Sequence, residues 1–235
     1  MRGHFFERMQ SLLGNLKIQI PEKLFVKDPD SSDLGKRIVE HSIYLIEKLG
    51  FESFTFKKLG VEIGSPESTI YRYFENKHKL LLYLTSWYWG WLEYKVAFAT
   101  ANVESAEKRL NNSIKAICET VKLDNNFSHI NEQILQRIVI SESSKAFLTK
   151  EIDQENKDGY FRSYKNLVER IVLIILAINP DFKHPKTLAS TLLEANHLQK
   201  FFGAHLPAIT EMNNKDEELI RFMTSMTSSM IKNGR

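Results

Sequence analysis

Apolar side chains return every three to four residues along most of this chain, the spacing that lines one face of an α-helix. From Asn76 to about Phe98, the residues Leu80, Leu84, Trp87 and Trp91 share one such face. Between Tyr160 and Ile178 a second long stripe runs through Phe161, Tyr164, Val168, Ile171, Ile175 and Ile178. Val172, Leu173 and Leu176 make its latter half apolar all round, which predicts a helix buried at the centre. Further helices are predicted over Asp33–Leu49, Glu104–Lys122, Ser128–Ser141 and Ser144–Ile152. The last two, Pro185–Leu206 and Lys215–Ile231, carry Leu188, Leu192, Ala195, Leu198 and Phe202, then Leu219, Met223, Met226 and Met230. Alternation appears only weakly, between Ile18 and Val26, and Pro21 interrupts it. The pattern is that of an all-α protein.

Between Phe54 and Leu81 the punctuation is denser. Thr55 is placed as an N-cap, and Leu59 and Ile63 share a face of the short helix that follows. Gly64 stops that helix, because the position after a helix usually needs the left-handed backbone that glycine adopts freely. Ser65 as cap and Pro66 at the first helical position restart it, giving a second helix over Glu67–Phe74. Two helices this close form a helix-turn-helix, and Asp33–Leu49, capped by Ser32 or Asp33 and ended by Gly50, supplies the third that buries its inner face. Ile70 and Phe74 face inward, while Ser68, Thr69, Tyr71, Arg72 and Tyr73 offer hydroxyl and guanidinium donors suited to base edges in a major groove. Lys57, Lys58, Lys77 and Lys79 flank the helix as candidate phosphate contacts. The same geometry also occurs in proteins that bind no DNA.

At these residues the chain resembles a known family. Gly50, Phe54-Thr55, the Gly64 turn, the run Thr69-Ile70-Tyr71-Arg72-Tyr73-Phe74, Asn76-Lys77 and Leu80-Leu81 are similar to the TetR/AcrR family of bacterial transcriptional regulators, over about Leu34 to Leu84. The chain departs from it where Gly60 and Ile63 replace the usual small alanines and Ser65-Pro66 opens the recognition helix. The resemblance implies a helix-turn-helix DNA-binding domain at residues 33–76, after an extension at 1–32. A helical ligand-binding and dimerisation domain is implied at 77–235. It implies a homodimer on a palindromic double-stranded DNA operator, acting as a repressor that a small hydrophobic ligand releases by moving the long helix. Thr55, Lys57, Lys58, Pro66, Glu67 and Lys77 join the outward residues as DNA contacts, Lys77 on phosphate. The last two helices would pair with their twins through Leu192, Ala195, Phe202, Leu219, Met223, Met226 and Met230.

The long helix is unusually aromatic. Trp87, Trp91, Tyr94 and Phe98, together with Phe127, Phe147, Phe161, Tyr164 and Phe201 from other segments, are candidates to line a cavity. Close-packed core is the other reading, and it leaves a DNA-binding dimer with no inducer. An enzymatic helical bundle is a third, but no phosphate loop, Ser/His/Asp order or paired-cysteine signature supports one. The spacing of Glu194 and His197 is that of a di-iron motif, but the second copy such a site needs is missing, so no metal or cofactor is expected.

Composition changes this picture little. At 235 residues and 43% apolar content the chain buries a real core, and a net charge of +3 gives no global basic field. Any DNA-binding charge is local. The lone Cys118 cannot pair internally and lies among Ile114, Ile117 and Val121, which favours a buried thiol over a redox sensor and suits a reducing cytoplasm. No signal peptide is evident, and the apolar run Ile171–Ile178 falls far short of the roughly 20 residues a membrane span needs, so a cytoplasmic protein without membrane contact is expected. In the extension, Phe5, Met9, Leu12, Leu13 and Leu16 suggest an amphipathic helix, and Asp28–Ser32 a turn. Acidic residues dilute its basic ones, which favours packing on the first domain over an arm on DNA.

Overall fold

Local capping chemistry sets the start and end of the first helix, α1 (Asp33–Leu49). Ser32 is extended and its Oγ accepts from the Gly35 amide at 3.2 Å, while Gly50 ends the helix with φ 74°. The computed structural model describes residues 18–121, 129–212 and 216–234. Among these, every regular element is helical. None of their helices is long and apolar enough to cross a membrane.

The chain divides into two compact units. One takes the chain up to Tyr88 together with Val121–Tyr160, the other Trp89–Thr120 and everything from Phe161 onward. The division falls inside one helix, α4 (Lys77–Thr100), and residues 129–160 group with the helix-turn-helix rather than with the residues that follow them.

In the first unit, α1 buries Ile38, Val39, Ile43 and Ile46. It is followed by α2 (Phe56–Ile63) and α3 (Glu67–Tyr71). The unit also holds α6 (Glu132–Glu142), α7 (Ser144–Phe147) and α8 (Ile152–Lys157), with the first half of α4. α6 lies against α1, where Arg137 meets Glu47 at 2.6 Å. Residues 18–32 pack on the same unit. Leu24 and Pro29 are buried, Lys23 pairs with Asp158 at 2.6 Å, and His129 lies 3.0 Å from Asp30. Only glycine fits at position 35, since a Cβ there would stand 2.2 Å from the Pro29 carbonyl oxygen. The helix suggested by Phe5 to Leu16 lies outside the described residues. The helix expected over Ser144–Ile152 is broken, for α7 ends at Phe147 and Leu148 is exposed.

In the second unit, α5 (Ala106–Cys118) stops short of the predicted Lys122. Thr120 turns away instead, its amide and hydroxyl both donating to Asp216, at 2.6 and 2.9 Å. α9 (Arg162–Ile178) packs on α5 and on α10 (Pro185–His205), and α11 (Asp216–Asn233) covers α5 and α10. α9 is one-sided rather than buried all round: Leu167, Ile171 and Ile175 are fully inside, but Leu173 is 63% exposed. The proposed dimer stripe also needs correction. Leu192, Leu219 and Met223 are buried within the chain's own core, because α11 turns that face onto α5 and α10. The large apolar residues left outside on these two helices are Leu198, Phe222 and Met230, with Ala195, Phe202 and Met226 half-buried beside them.

Candidate nucleic-acid interface

The turn between α2 and α3 is made by backbone chemistry. Thr55 caps α2, its Oγ accepting from the Lys58 amide at 3.2 Å, and Phe56, Leu59 and Ile63 face the core. Gly64 is left-handed, with φ 63° and ψ 37°. The chain then folds back so tightly that the Ser65 amide donates to the Gly60 carbonyl at 2.8 Å. A Cβ on Gly60 would lie 2.6 Å from the Ser65 carbonyl oxygen, which explains glycine where the related family favours alanine. Arg37 of α1 donates from Nη2 to the Ile63 carbonyl at 2.6 Å and pins this end of α2.

Pro66 is not the first helical residue, as expected, but the N-cap, because its ψ of 143° is still extended. Ser65 makes no cap. α3 then runs only to Tyr71, with Arg72 closing it through its amide bond to Thr69, and does not reach Phe74 as a regular helix. Its inner side is Ile70 and, just beyond, Phe74, both fully buried. Its outer side presents Ser68, Tyr71 and Arg72, with Pro66 exposed before them and Glu67 and Thr69 partly exposed. The Tyr71 ring stands edge-on to Phe56 at 5.1 Å and its hydroxyl is 3.4 Å from Glu67 Oε1, so both side chains are oriented before any partner arrives.

Two expected DNA contacts turn inward. Tyr73 is 4% exposed; its hydroxyl meets Ser32 Oγ at 2.8 Å, and its carbonyl accepts from the Val26 amide at 2.8 Å. The bond to Ser32 draws the phenol below its ordinary pKa, and Lys27, with its ammonium 5.1 Å from the ring centre, adds to this. Lys77 is the second. Its ammonium donates to the carbonyls of Phe51 and Glu52 at 3.1 Å and of Phe54 at 3.5 Å, and lies 4.8 Å from the Phe51 ring centre. These bonds use the three protons an ammonium has, so Lys77 ties α4 to the α1–α2 junction rather than offering a free phosphate clamp.

Its neighbours are held in the same way. Asn76 caps α4 by accepting from the Lys79 amide at 2.9 Å, His78 meets the buried Glu155 at 2.8 Å, and Lys79 bonds the Tyr160 hydroxyl. Lys57 and Lys58 remain exposed on α2, Lys58 donating to the Ser53 carbonyl at 2.7 Å, and Arg72 is exposed at the end of α3. The outward surface of the motif therefore joins hydroxyls, one guanidinium and two lysines.

The nine candidate cavity residues do not fall in one unit. Trp87 and Phe147 belong to the first, Trp91, Tyr94, Phe98, Phe161, Tyr164 and Phe201 to the second, and Phe127 lies outside the described residues. Phe98 is 52% exposed. Trp89, another aromatic of the long helix, stands in the second unit edge-on to Tyr164 at 4.8 Å and stacked on His197 at 5.0 Å. Tyr164 in turn donates to Glu194 at 2.8 Å. Burial holds the His197 imidazole down to about 3, the nearby Lys200 charge adding to the effect. Glu194 and His197 thus serve the aromatic Trp89 and Tyr164. Among the described residues no cluster of three or more His, Cys, Asp or Glu side chains is arranged to hold a metal. Cys118 is buried, which raises its thiol to about 12.

Residues 38–84 match the family described as bacterial regulatory proteins, tetR family. No curated protein matches the chain. Among solved structures, AibR in complex with isovaleryl coenzyme A and operator DNA is similar at TM-score 0.56 and 15% identity, over 81% of this chain and 97% of that one. A tetR-family regulatory protein from Rhodococcus RHA1 is similar at TM-score 0.61 and 13% identity, over 85% and 97%. The fatty acid degradation regulator FadR from Bacillus halodurans is similar at TM-score 0.54 and 11% identity, over 81% and 92%. At such identities the likeness is one of fold.

Proposed function

We propose that this chain, whose residues 38–84 match the tetR family of bacterial regulatory proteins, is a DNA-binding regulator of transcription of that family. On this reading α3 enters the major groove, with Glu67, Ser68, Thr69 and Arg72 toward base edges. Thr55, Lys57, Lys58 and Tyr71 meet the phosphates, and Pro66 packs at the groove wall. The observation that carries it is the two-sidedness of α3: Ile70 and Phe74 are fully buried while Ser68, Tyr71 and Arg72 stay outside. Hydroxyls and a guanidinium held outward on a helix are the donors that base edges and phosphates accept from.

The protein acts as a homodimeric repressor on a palindromic operator. Leu198, Phe222 and Met230, with Ala195, Phe202 and Met226, form the apolar face that a second copy covers. A small, largely apolar ligand binds among the aromatic residues of the second unit, including Trp91, Tyr94, Phe161, Tyr164 and Phe201, and releases DNA. That AibR is known with both isovaleryl coenzyme A and operator DNA supports a small-molecule effector, the apolar part of that ligand being its acyl group. The packing of Trp89 against Tyr164 and His197 supports the other reading, a DNA-binding dimer with filled core and no inducer.

The test is Phe222→Glu, examined by sedimentation and by duplex titration. A charge buried without a partner at an interface costs about 3–5 kcal/mol, so the variant stays folded but runs as a monomer and loses operator binding. A folded variant that remains dimeric sinks this interface. A thermal-shift screen of acyl and aromatic compounds separates the two ligand readings, since only a bound ligand raises the melting temperature by mass action.

A further inference from the structure

The junction between α1 and α2 is where the helix-turn-helix hangs from the rest of its unit, and it is held from both sides at one residue. Gly50 breaks α1, so the Phe51 amide has no helical acceptor, and Phe51 is buried. The carbonyl of Phe51 takes the Lys77 ammonium from α4, at 3.1 Å. Its amide donates to Glu142 Oε1 at 3.2 Å, across 91 residues of chain. Glu142 is the last residue of α6 and is 9% exposed.

A carboxylate is an expensive group to bury, and packing alone would be served by a leucine or methionine. What an apolar side chain cannot do is accept from the Phe51 amide, which would then be a buried donor without a partner. Lys145 of α7 answers the charge, with Nζ 2.5 Å from Glu142 Oε2 and 3.5 Å from Glu52 Oε1 in the same junction. Farther back on α6, Arg137 pairs with Glu47 near the end of α1. The end of α6 is therefore bonded to the residue from which α2 and α3 take their direction.

We propose that Glu142 is a positioning residue for DNA binding: by holding the Phe51 amide it sets the angle at which α2 and α3 leave α1. The inference rests on the DNA-binding reading above. It adds α6 as a route to the recognition helix separate from α4, so a displacement of α6 changes how α3 is presented.

Two variants of the full chain, Glu142→Gln and Glu142→Ala, are compared with the parent on a duplex selected from a random pool and on random duplex. The Phe51 amide is followed in protein labelled with 15N-phenylalanine, its resonance assigned through Phe51→Leu. Glutamine keeps an acceptor for the amide, and alanine does not. Operator affinity of Glu142→Ala is expected to fall about tenfold, well below the melting temperature, with random-duplex affinity much less changed and the Phe51 amide shifted upfield. Glu142→Gln restores the amide shift and most of the operator affinity. A merely structural glutamate would lower thermal stability and leave the operator-to-random ratio unchanged. That result overturns the inference, as does alanine binding the operator like the parent, or glutamine failing to restore it. A parent protein that selects no duplex at all overturns the functional reading itself.

Discussion

The Tyr73 hydroxyl lies 2.8 Å from Ser32 Oγ, joining the exit of the recognition helix to the cap of the first helix, 41 residues earlier. Ser32 also accepts from the Gly35 amide, so one hydroxyl serves both elements. With the Val26 amide on the Tyr73 carbonyl, the segment before α1 becomes a strap across the end of the motif.

Tyr73→Phe removes this bond and little else. It is expected to lower stability by about 1 kcal/mol in urea denaturation. Ser32→Ala costs more, because it removes an N-cap as well. The double variant is expected to lose less than the sum. Full additivity would mean that the two hydroxyls do not depend on each other.

Lys77→Ala leaves the carbonyls of Phe51, Glu52 and Phe54 without their donor. The expected loss is in folding stability, on the order of 1–3 kcal/mol. The slope of log affinity for random duplex against log salt should stay where it is. A slope shallower by about one unit, with stability intact, would return Lys77 to the phosphate backbone.

Gly60→Ala and Gly64→Ala separate contact from strain. A Cβ at 60 would collide with the Ser65 carbonyl oxygen at 2.6 Å, whereas a Cβ at 64 meets nothing within 4 Å and carries only the strain of φ 63°. Gly64→Ala should cost about 1–2 kcal/mol. Gly60→Ala should cost more and abolish operator binding, because the backbone itself must move. Equal midpoints in urea would contradict this.

His197 makes stability depend on pH in one direction. Its folded pKa, about 3, lies below the ordinary value near 6.5, so between these limits the unfolded chain binds the proton and the folded chain does not. Stability is therefore full above about pH 6.5 and falls as pH drops toward 3, by at most about 1.4 kcal/mol per pH unit from this group. His197→Phe keeps a ring against Trp89 and should flatten that fall. Parallel stability curves for parent and variant between pH 4 and 6.5 would remove His197 from the account.

What could be read in advance, and what could not, divides along the range of the interactions. Ser32, Thr55, Gly50 and Gly64 mark helix ends through bonds and dihedrals within a few residues, and they stand where the pattern placed them. Tyr73 has the same hydroxyl as Tyr71, but Ser32 and Val26, far back in the chain, draw it inward. Lys77 was legible as a cation beside the motif, yet the carbonyls that claim it lie 26, 25 and 23 residues earlier. On α11 the apolar stripe was plain, but periodicity does not say what covers a face. Leu219 and Met223 belong to the chain's own core, and Phe222 and Met230 to its surface. Leu173 shows the same limit on α9, where an all-apolar run still leaves one side in water.

Whether the full chain reads DNA as a two-fold dimer is decided by selection of bound duplex from a random pool. One enriched sequence with inverted symmetry is expected, its half-site centres about 34–36 Å apart or a multiple of this, as two α3 helices on a two-fold dimer require. A pool that yields no enriched sequence, or an asymmetric site bound by a single subunit, would contradict it.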